Sequence, residues 1–237
     1  MNILRDFSLT FEPEAYIEMH GERFARLLKQ ESVRTRFEEM LAEIPSLCEP
    51  VACYEIHPIE GILHDKVVLA PGVRIGGGPV VEVVRGADEL VVAVCTVGPA
   101  VDERIRAYQM QQEAFKVMLL DELASWAVDQ VRQQVYHRIE QDYGARGWHI
   151  SALLSPGEST WSVEEQPLLF ALLDAEAIGV TLTDSCVMRP LKSLSMIFGV
   201  GREAVGVEGL RNCDFCTIKD KCRYARMGGH GHSLMPS

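Results

Sequence analysis

Three cysteines near the C-terminus have the type and spacing of a metal or cluster site. In the stretch "NCDFCTIKDKCRYAR", thiols fall at Cys213, Cys216 and Cys222. A Cys-x2-Cys turn lets two sulfurs converge on one ion, and a third thiolate a few residues later completes one face of the site. Exposed free thiols are reactive, so a chance cluster of three is unexpected. The sequence therefore predicts metal or cluster binding at these three residues.

The spacing of these cysteines leaves the identity of the metal open. Zinc needs a fourth ligand, which His230 or His232 could supply. An iron–sulfur cluster could instead use Cys186 or another thiol from the body of the protein, or leave one iron open. Residues 206–237 are accordingly predicted as a Cys-rich tail that binds an iron–sulfur cluster or zinc.

Composition excludes several classes of protein. The chain has 237 residues, a formal charge of −11 and a pI near 5.1, which argues against a nucleic-acid binder. No run approaches the eighteen or so apolar residues of a membrane span, and the acidic N-terminus lacks the apolar core of a secretory signal. Seven cysteines, an odd number, are typical of reduced thiols. We therefore expect a cytoplasmic protein with neither a membrane nor a nucleic acid as partner.

Hydrophobic periodicity predicts the elements that must position any site. Apolar residues at three- and four-residue steps predict one or two helices over 13–44, with the pattern broken at Pro45. Short β-branched runs separated by turn residues predict strands over 51–97. The glycines of "RIGGGPV" lack the Lys-Ser/Thr ending of a phosphate loop, so they are interpreted as a turn between strands.

The second half of the chain is predicted to contain one long helix and a loop of functional interest. An apolar face runs over 101–142, with a break near Gln111. The turn "SPGEST" follows, then a helix ending before Gly179, then strands around Pro190. The predicted fold is α+β, an antiparallel sheet with helices packed against it. We divide it into an N-terminal helical segment (1–50), an α+β core (51–205) and the Cys-rich tail.

Two features of this arrangement could bind a ligand. The "SPGEST" loop is one, because loops of this kind commonly carry binding residues. The carboxylates of Asp121 and Glu122, which fall among apolar neighbours on the long helix, are the other. A solvated helix edge is the simpler interpretation of these two acids.

Four blocks in the order found here resemble the activation (reactivation) domain of cobalamin-dependent methionine synthase. They are "CTVGPAVDERI", "LLDELASWAVDQVRQQV", "SPGESTWSVEEQPLLFALL" and "IGVTLTDSCVMRPLKSLS", which together span residues 95–195. The resemblance as a whole runs over about residues 96–201. The resemblance implies a C-shaped α+β fold around a long twisted antiparallel sheet. It also implies a role in which S-adenosylmethionine binds over a corrinoid, so that inactive Co(II) is reduced and remethylated. The corrinoid would sit on a partner, because the chain has no corrinoid-ligating DxHxxG pattern.

The resemblance also implies positions for the cofactor contacts. The family's Arg-x-x-Pro-Gly-Tyr loop falls on Leu153, Pro156, Gly157 and Glu158, so the arginine and the tyrosine of that pattern are replaced here. An aliphatic side chain cannot make the bidentate contact of a guanidinium with a carboxylate. The acid that would meet the ligand's amino group falls at Asp121 or, one register over, at Glu122. The predicted cofactor contacts are thus these two acids with Pro156, Gly157 and Glu158.

The altered loop and the appended thiols lead to one prediction and two alternatives. The chain is predicted to bind a corrinoid protein or cobalamin-dependent methyltransferase and to support reduction of Co(II), with an iron–sulfur cluster at Cys213, Cys216 and Cys222 as electron carrier. One alternative is a docking or assembly factor with a structural zinc and no redox turnover. The other keeps S-adenosylmethionine-dependent reactivation despite Leu153. In the predicted scheme with an iron–sulfur cluster, a separate protein could serve as electron donor to the cluster.

Overall fold

A computed structural model of the chain describes residues 1–70, 72–158, 160–207, 214 and 220. The predicted ligands Cys213, Cys216 and Cys222 lie outside these residues. The elements are β1 (Asn2–Leu4), α1 (Pro13–Leu27), α2 (Glu31–Leu47), β2 (Val51–Leu63), β3 (Lys66–Leu69), β4 (Val73–Gly76), α3 (Val80–Val84), β5 (Glu89–Thr96), α4 (Ala100–Met110), α5 (Ala114–Gly144), β6 (His149–Ile150), α6 (Gln166–Phe170), β7 (Thr181–Leu182), β8 (Met188–Arg189) and β9 (Ser193–Gly201). Short 3-10 turns occupy Val163–Glu165 and Ala175–Ile178. The predicted α+β class is confirmed.

The main sheet is antiparallel throughout and is organised by the long strand β2. Its strands lie in the order β4-β3-β2-β5-β9-β6, and β1 also pairs with β2. The first part of β2, Val51–Pro58, pairs with β5. The second part, Ile59–Leu63, pairs with β3, and the register of that pairing shifts between Ile59 and Gly61. A register shift of this kind bends a strand and increases its twist. The sheet consequently curls, as the resemblance implied. β7 and β8 form a separate two-stranded ribbon.

The two faces of the sheet are buried by different layers. On β5, Val91, Ala93 and Cys95 face the cluster formed with α1, α2, α4 and α5. The alternate residues, Leu90 among them, face a second cluster that includes α3, β3, β4 and Trp161. A strand that is buried on both sides is expected to be apolar without alternation, which accounts for the run "LVVAVCT".

The helical layer agrees with the sequence in its main features and differs at one proline. The predicted break near Gln111 separates α4 from α5, and Gln112 adopts a φ of 60° there. The helical pattern was expected to end at Pro45, but α2 continues to Leu47 with Pro45 inside its last turn. This prediction was wrong. Pro45 lacks the N–H that would donate to the carbonyl of Leu41, and burial of Ile44 and Leu47 in the helical layer outweighs that loss.

The helix predicted to run up to Gly179 is shorter than expected. The chain forms α6 over only Gln166–Phe170 and then turns, so that Leu172 and Leu173 enter the second cluster. Burial of these leucines outweighs continuation of the helix. α1 and α2 pack in the same layer as α5, and the division at residue 50 stays a prediction. Within the described residues, no helix is both long enough and apolar enough to cross a membrane.

The glycine-rich turn lies between β4 and the short helix α3, not between two strands as expected. Its glycines allow the backbone of the "SPGEST" loop to approach closely. The indole nitrogen of Trp161 donates to the carbonyl of Gly76 at 3.3 Å. A Cβ on Gly78 would lie 3.0 Å from the backbone nitrogen of Trp161, and the φ of Gly78 is +51°. The turn thus holds the loop through packing.

Replacing Gly78 by alanine is expected to lower the free energy of unfolding by about 1–3 kcal/mol, because the added Cβ meets backbone in a left-handed conformation. Urea denaturation measures this change. Gly144→Ala is the matched control, since a Cβ there meets no atom within 4 Å and alanine favours the helix. Equal stability of the two variants would contradict close packing at Gly78.

Candidate functional site

The loop that begins at Ser155 is anchored to the edge of the sheet. Just before it, Leu154 and Ile197 of β9 exchange two backbone hydrogen bonds of 2.8 Å. Gly157 has a φ of +89°, and its N–H donates to the carbonyl of Trp161 at 2.9 Å. The N–H of Glu158 donates to the carbonyl of Ser155 at 3.1 Å. These bonds close the loop on itself and leave the Glu158 side chain near α5.

A buried arginine from α5 binds the underside of this loop. The side chain of Arg132 is 1% exposed. Its Nε and Nη2 donate to Oδ1 of Asp129, one helical turn earlier. Its Nη1 donates to Oε1 of Glu158 at 2.8 Å and to Oγ of Ser155 at 3.4 Å. The second oxygen of Asp129 accepts from Gln133 at 2.8 Å. The Arg132 guanidinium therefore joins the long helix to the loop.

Two carboxylates keep the guanidinium of Arg132 charged in this buried setting. Burial alone would lower the pKa of Arg132, but the attraction of Glu158 and Asp129 outweighs burial and raises the pKa above its usual range. An unpaired charge in such a place would be strongly destabilising, and pairing with good geometry offsets that penalty. The network is thus a structural link and a buried cluster of charges beside the loop.

The two acids predicted on α5 have separate partners. Oδ1 of Asp121 lies 2.7 Å from Nζ of Lys192, which also donates to Oγ of Ser125 at 2.9 Å. Oε2 of Glu122 lies 2.7 Å from Nε2 of His20 on α1. Asp121 therefore contacts the residue just before β9, and Glu122 fastens α1 to α5. The Asp121 side chain is 55% exposed and that of Glu122 is 26% exposed, so both acids are partly solvated as well as paired.

The position that lacks the family's arginine is an interior position. Leu153 is 1% exposed and belongs to the cluster under α5, and Pro156 is buried as well. Gly157 is exposed and Glu158 is partly exposed. An aliphatic residue is what the surroundings of Leu153 require. The guanidinium near this loop comes from Arg132 instead.

Sequence reasoning missed Arg132, Asp129 and Lys192. The one local signal was the spacing Asp129-x-x-Arg132, since residues three apart on a helix can form an ion pair. Charged residues within an apolar stripe are rarely buried unless they are paired. The partners in the loop and before β9 are distant in sequence.

The thiols in the body of the protein differ in access. Cys53 and Cys95 are buried, and burial raises the pKa of each to about 12. Cys186 is half-buried in the turn between β7 and β8. Across residues 1–207, apart from the two gaps, no group of three or more His, Cys, Asp or Glu residues is arranged to hold a metal.

Thiol labelling tests this difference in access. At pH 8 a disulfide reagent is expected to modify Cys186 within minutes and to leave Cys53 and Cys95 unmodified until the protein unfolds, because only an accessible thiolate reacts. Peptide mapping by mass spectrometry identifies the modified residues. Similar labelling rates at all three in the folded protein would contradict the burial of Cys53 and Cys95.

Comparison with known proteins locates the fold. No protein-family model matches the chain, and no curated protein matches its sequence. Among solved structures, the crystal structure of the MetH reactivation domain bound to AdoHcy matches with a TM-score of 0.59 at 13% sequence identity. The match covers 91% of this chain and 80% of that one, so it extends well beyond residues 96–201 and into the N-terminal helices. The chain has the fold of that domain.

Proposed function

We propose that the chain takes part in the reactivation of a cobalamin-dependent methyltransferase by binding its corrinoid-carrying protein. The observation that carries this proposal is the fold, which is shared over 91% of the chain with the MetH reactivation domain. The four sequence blocks, which span residues 95–195, support the same role. The corrinoid performs the difficult chemistry, while the protein positions it.

The reaction that needs assistance is a one-electron reduction of Co(II) to Co(I). Co(I) then attacks a methyl donor, which places the methyl group on cobalt and releases the demethylated donor. This chain contributes a curled sheet whose two faces are already filled by its own side chains. We propose that it acts as a docking platform for the corrinoid protein and leaves the corrinoid on that partner.

The source of the electron is the finer part of the proposal. We assign it to an iron–sulfur centre at Cys213, Cys216 and Cys222, supported by their spacing. Iron, sulfide and zinc are measured on protein purified without oxygen or a metal-affinity tag. Stoichiometric iron and sulfide that Cys213→Ser abolishes would support the assignment. Zinc without iron would favour a docking factor that performs no redox chemistry.

The paired carboxylates bear on whether S-adenosylmethionine is needed. Asp121 already meets the ammonium of Lys192, and Glu158 already meets the guanidinium of Arg132. A ligand's amino and carboxyl groups would have to displace these internal partners. We therefore propose that the wild-type chain binds such a ligand weakly and supports cobalt reduction in its absence.

Association with a corrinoid protein tests the proposed function. Isothermal titration of the full chain with the Co(II) corrinoid-binding region of methionine synthase from the same organism is expected to give a specific complex. The same titration with corrinoid-free protein is the control. Absence of binding to the Co(II) form at tens of micromolar, or equal binding to both forms, would contradict a role in recognising the inactive corrinoid.

A further inference from the structure

An N-terminal arm, residues 1–11, lies across the molecule before α1 begins. Its first residues pair with β2 through β1, and its later residues follow the surface of α5. We infer that this arm opens as one unit while the remainder of the chain stays folded, so that it acts as a removable cover over an apolar strip of α5.

Two glutamines of α5 hold the middle of the arm by its backbone. Gln130 accepts from the N–H of Thr10 and donates to the carbonyl of the same residue, both at 2.9 Å. Gln134 accepts from the N–H of Ser8 at 3.1 Å and donates to its carbonyl at 2.8 Å. A side-chain amide presents a donor and an acceptor as a peptide group does. The two glutamines therefore take the place of a neighbouring strand.

The contacts between the arm and α5 repeat at a regular interval. Asp6 pairs with Arg138 at 2.8 Å, so successive contacts step by two residues along the arm and by four along the helix. Two residues of an extended chain span about 6.6 Å, and four residues of a helix rise about 6 Å. Because these intervals nearly coincide, the arm follows α5 in the antiparallel direction. The residues in between, Phe7 and Leu9, are partly buried against the core under α5.

The arm is held less firmly than the body of the protein. The structure describes all eleven residues of the arm and buries none of them. The bonds to the two glutamines and to Arg138 lie at the surface, and β1 pairs with β2 through three residues. Segments with few buried contacts and exposed hydrogen bonds open at a lower free energy than the core.

Opening of the arm would leave α1 intact and uncover apolar side chains. The carbonyl of Glu12 accepts from the N–H of Tyr16 at 3.2 Å, and Pro13 is the first residue of α1, so the helix starts beyond the arm. Phe11 packs edge-on against the indole of Trp126, with ring centroids 5.9 Å apart. Trp126 loses this cover when the arm leaves, together with the core residues beneath the other apolar side chains of the arm.

Residue-resolved hydrogen exchange in low concentrations of urea tests whether the arm opens as a unit. The amides of Ser8 and Thr10 and the bonded amides of β1 are expected to share one opening with a shallow urea dependence, about a hundredfold or more above the exchange of β5, which requires global unfolding. Gln130→Ala combined with Gln134→Ala should speed exchange in β1 about tenfold, although neither glutamine contacts β1. Gln141→Ala, an exposed glutamine further along α5, is the matched control and should change nothing.

Two results of the exchange experiment would overturn the inference. Wild-type rates in β1 of the double variant would mean that the arm opens piece by piece. A urea dependence in the arm as steep as that in β5 would mean that it opens only with the whole protein.

Native-state proteolysis is an independent test on the full chain, and neither experiment involves a corrinoid protein. Chymotrypsin is expected to cut after Phe7 or Phe11 before it cuts anywhere within residues 13–205. The double variant should be cut at these sites about tenfold faster than the wild type, because cleavage follows the population of the open arm. First cuts within residues 13–205, or equal rates in the two proteins, would contradict the removable arm.

Discussion

Replacing Arg132 by methionine is expected to lower the free energy of unfolding by about 3–5 kcal/mol, because Asp129 is left buried without its main partner. The loop also loses its link to α5, since Glu158 and Ser155 both bind Arg132. Urea denaturation followed by circular dichroism measures the loss. This is the largest effect that a single charged side chain should have in the described part of the molecule.

Two further variants show whether the effect comes from the buried charge. Arg138→Met breaks an exposed ion pair with Asp6 and should change stability little. Asp129→Leu combined with Arg132→Met removes both buried charges and should recover much of the loss, since an apolar pair of similar volume often replaces a buried ion pair well. A loss in Arg132→Met no larger than in Arg138→Met would contradict the network.

Restoring the arginine of the family pattern at Leu153 is expected to destabilise the protein by about 4 kcal/mol or more. Leu153 lies in the cluster under α5, where a new guanidinium would be buried without a designed partner. Thermal and urea denaturation measure the effect. The variant should gain no affinity for AdoHcy, because the position faces the core and not a groove.

Leu153→Met provides the control for this prediction. It keeps an apolar side chain of similar volume, so its cost should stay below about 1.5 kcal/mol. If Leu153→Arg were as stable as Leu153→Met and bound AdoHcy, the position would face a ligand groove. The interior placement of Leu153 would then be wrong.

Local patterns were sufficient for most of the helical layer and for the class of fold. The apolar stripe of α5 and its break near Gln111 depend on residues close in sequence, and both are confirmed. The β-branched runs between 51 and 97 likewise became β2 to β5, interrupted only by α3. Periodicity works here because each element buries one face or both faces against a continuous core.

The errors arose where packing outweighed local preference. Pro45 was expected to end a helix that continues through it, and the region before Gly179 was expected to be one helix but turns after Phe170. The glycine-rich turn accommodates Trp161, more than eighty residues away. No short window of sequence reports such a contact.

In the candidate site, too, local sequence predicted the elements but not the contacts between residues distant in sequence. Asp121 and Glu122 were correctly placed on the long helix, but their partners, Lys192 and His20, come from opposite ends of the chain. The sequence did not predict a role for Arg132, because its contacts are with a loop distant in sequence. Backbone pairing of Leu154 with β9 places that loop beside α5.

The rate of Co(II) reduction in a corrinoid protein tests the central claim most directly. Electron paramagnetic resonance follows the loss of the Co(II) signal under anaerobic conditions, with a chemical donor, in the presence and absence of the full chain. The account predicts an acceleration of about tenfold or more, equal to a barrier lowered by about 1.4 kcal/mol, and a loss of that acceleration in Cys213→Ser. An unchanged rate with the wild-type chain would contradict a role in reactivation.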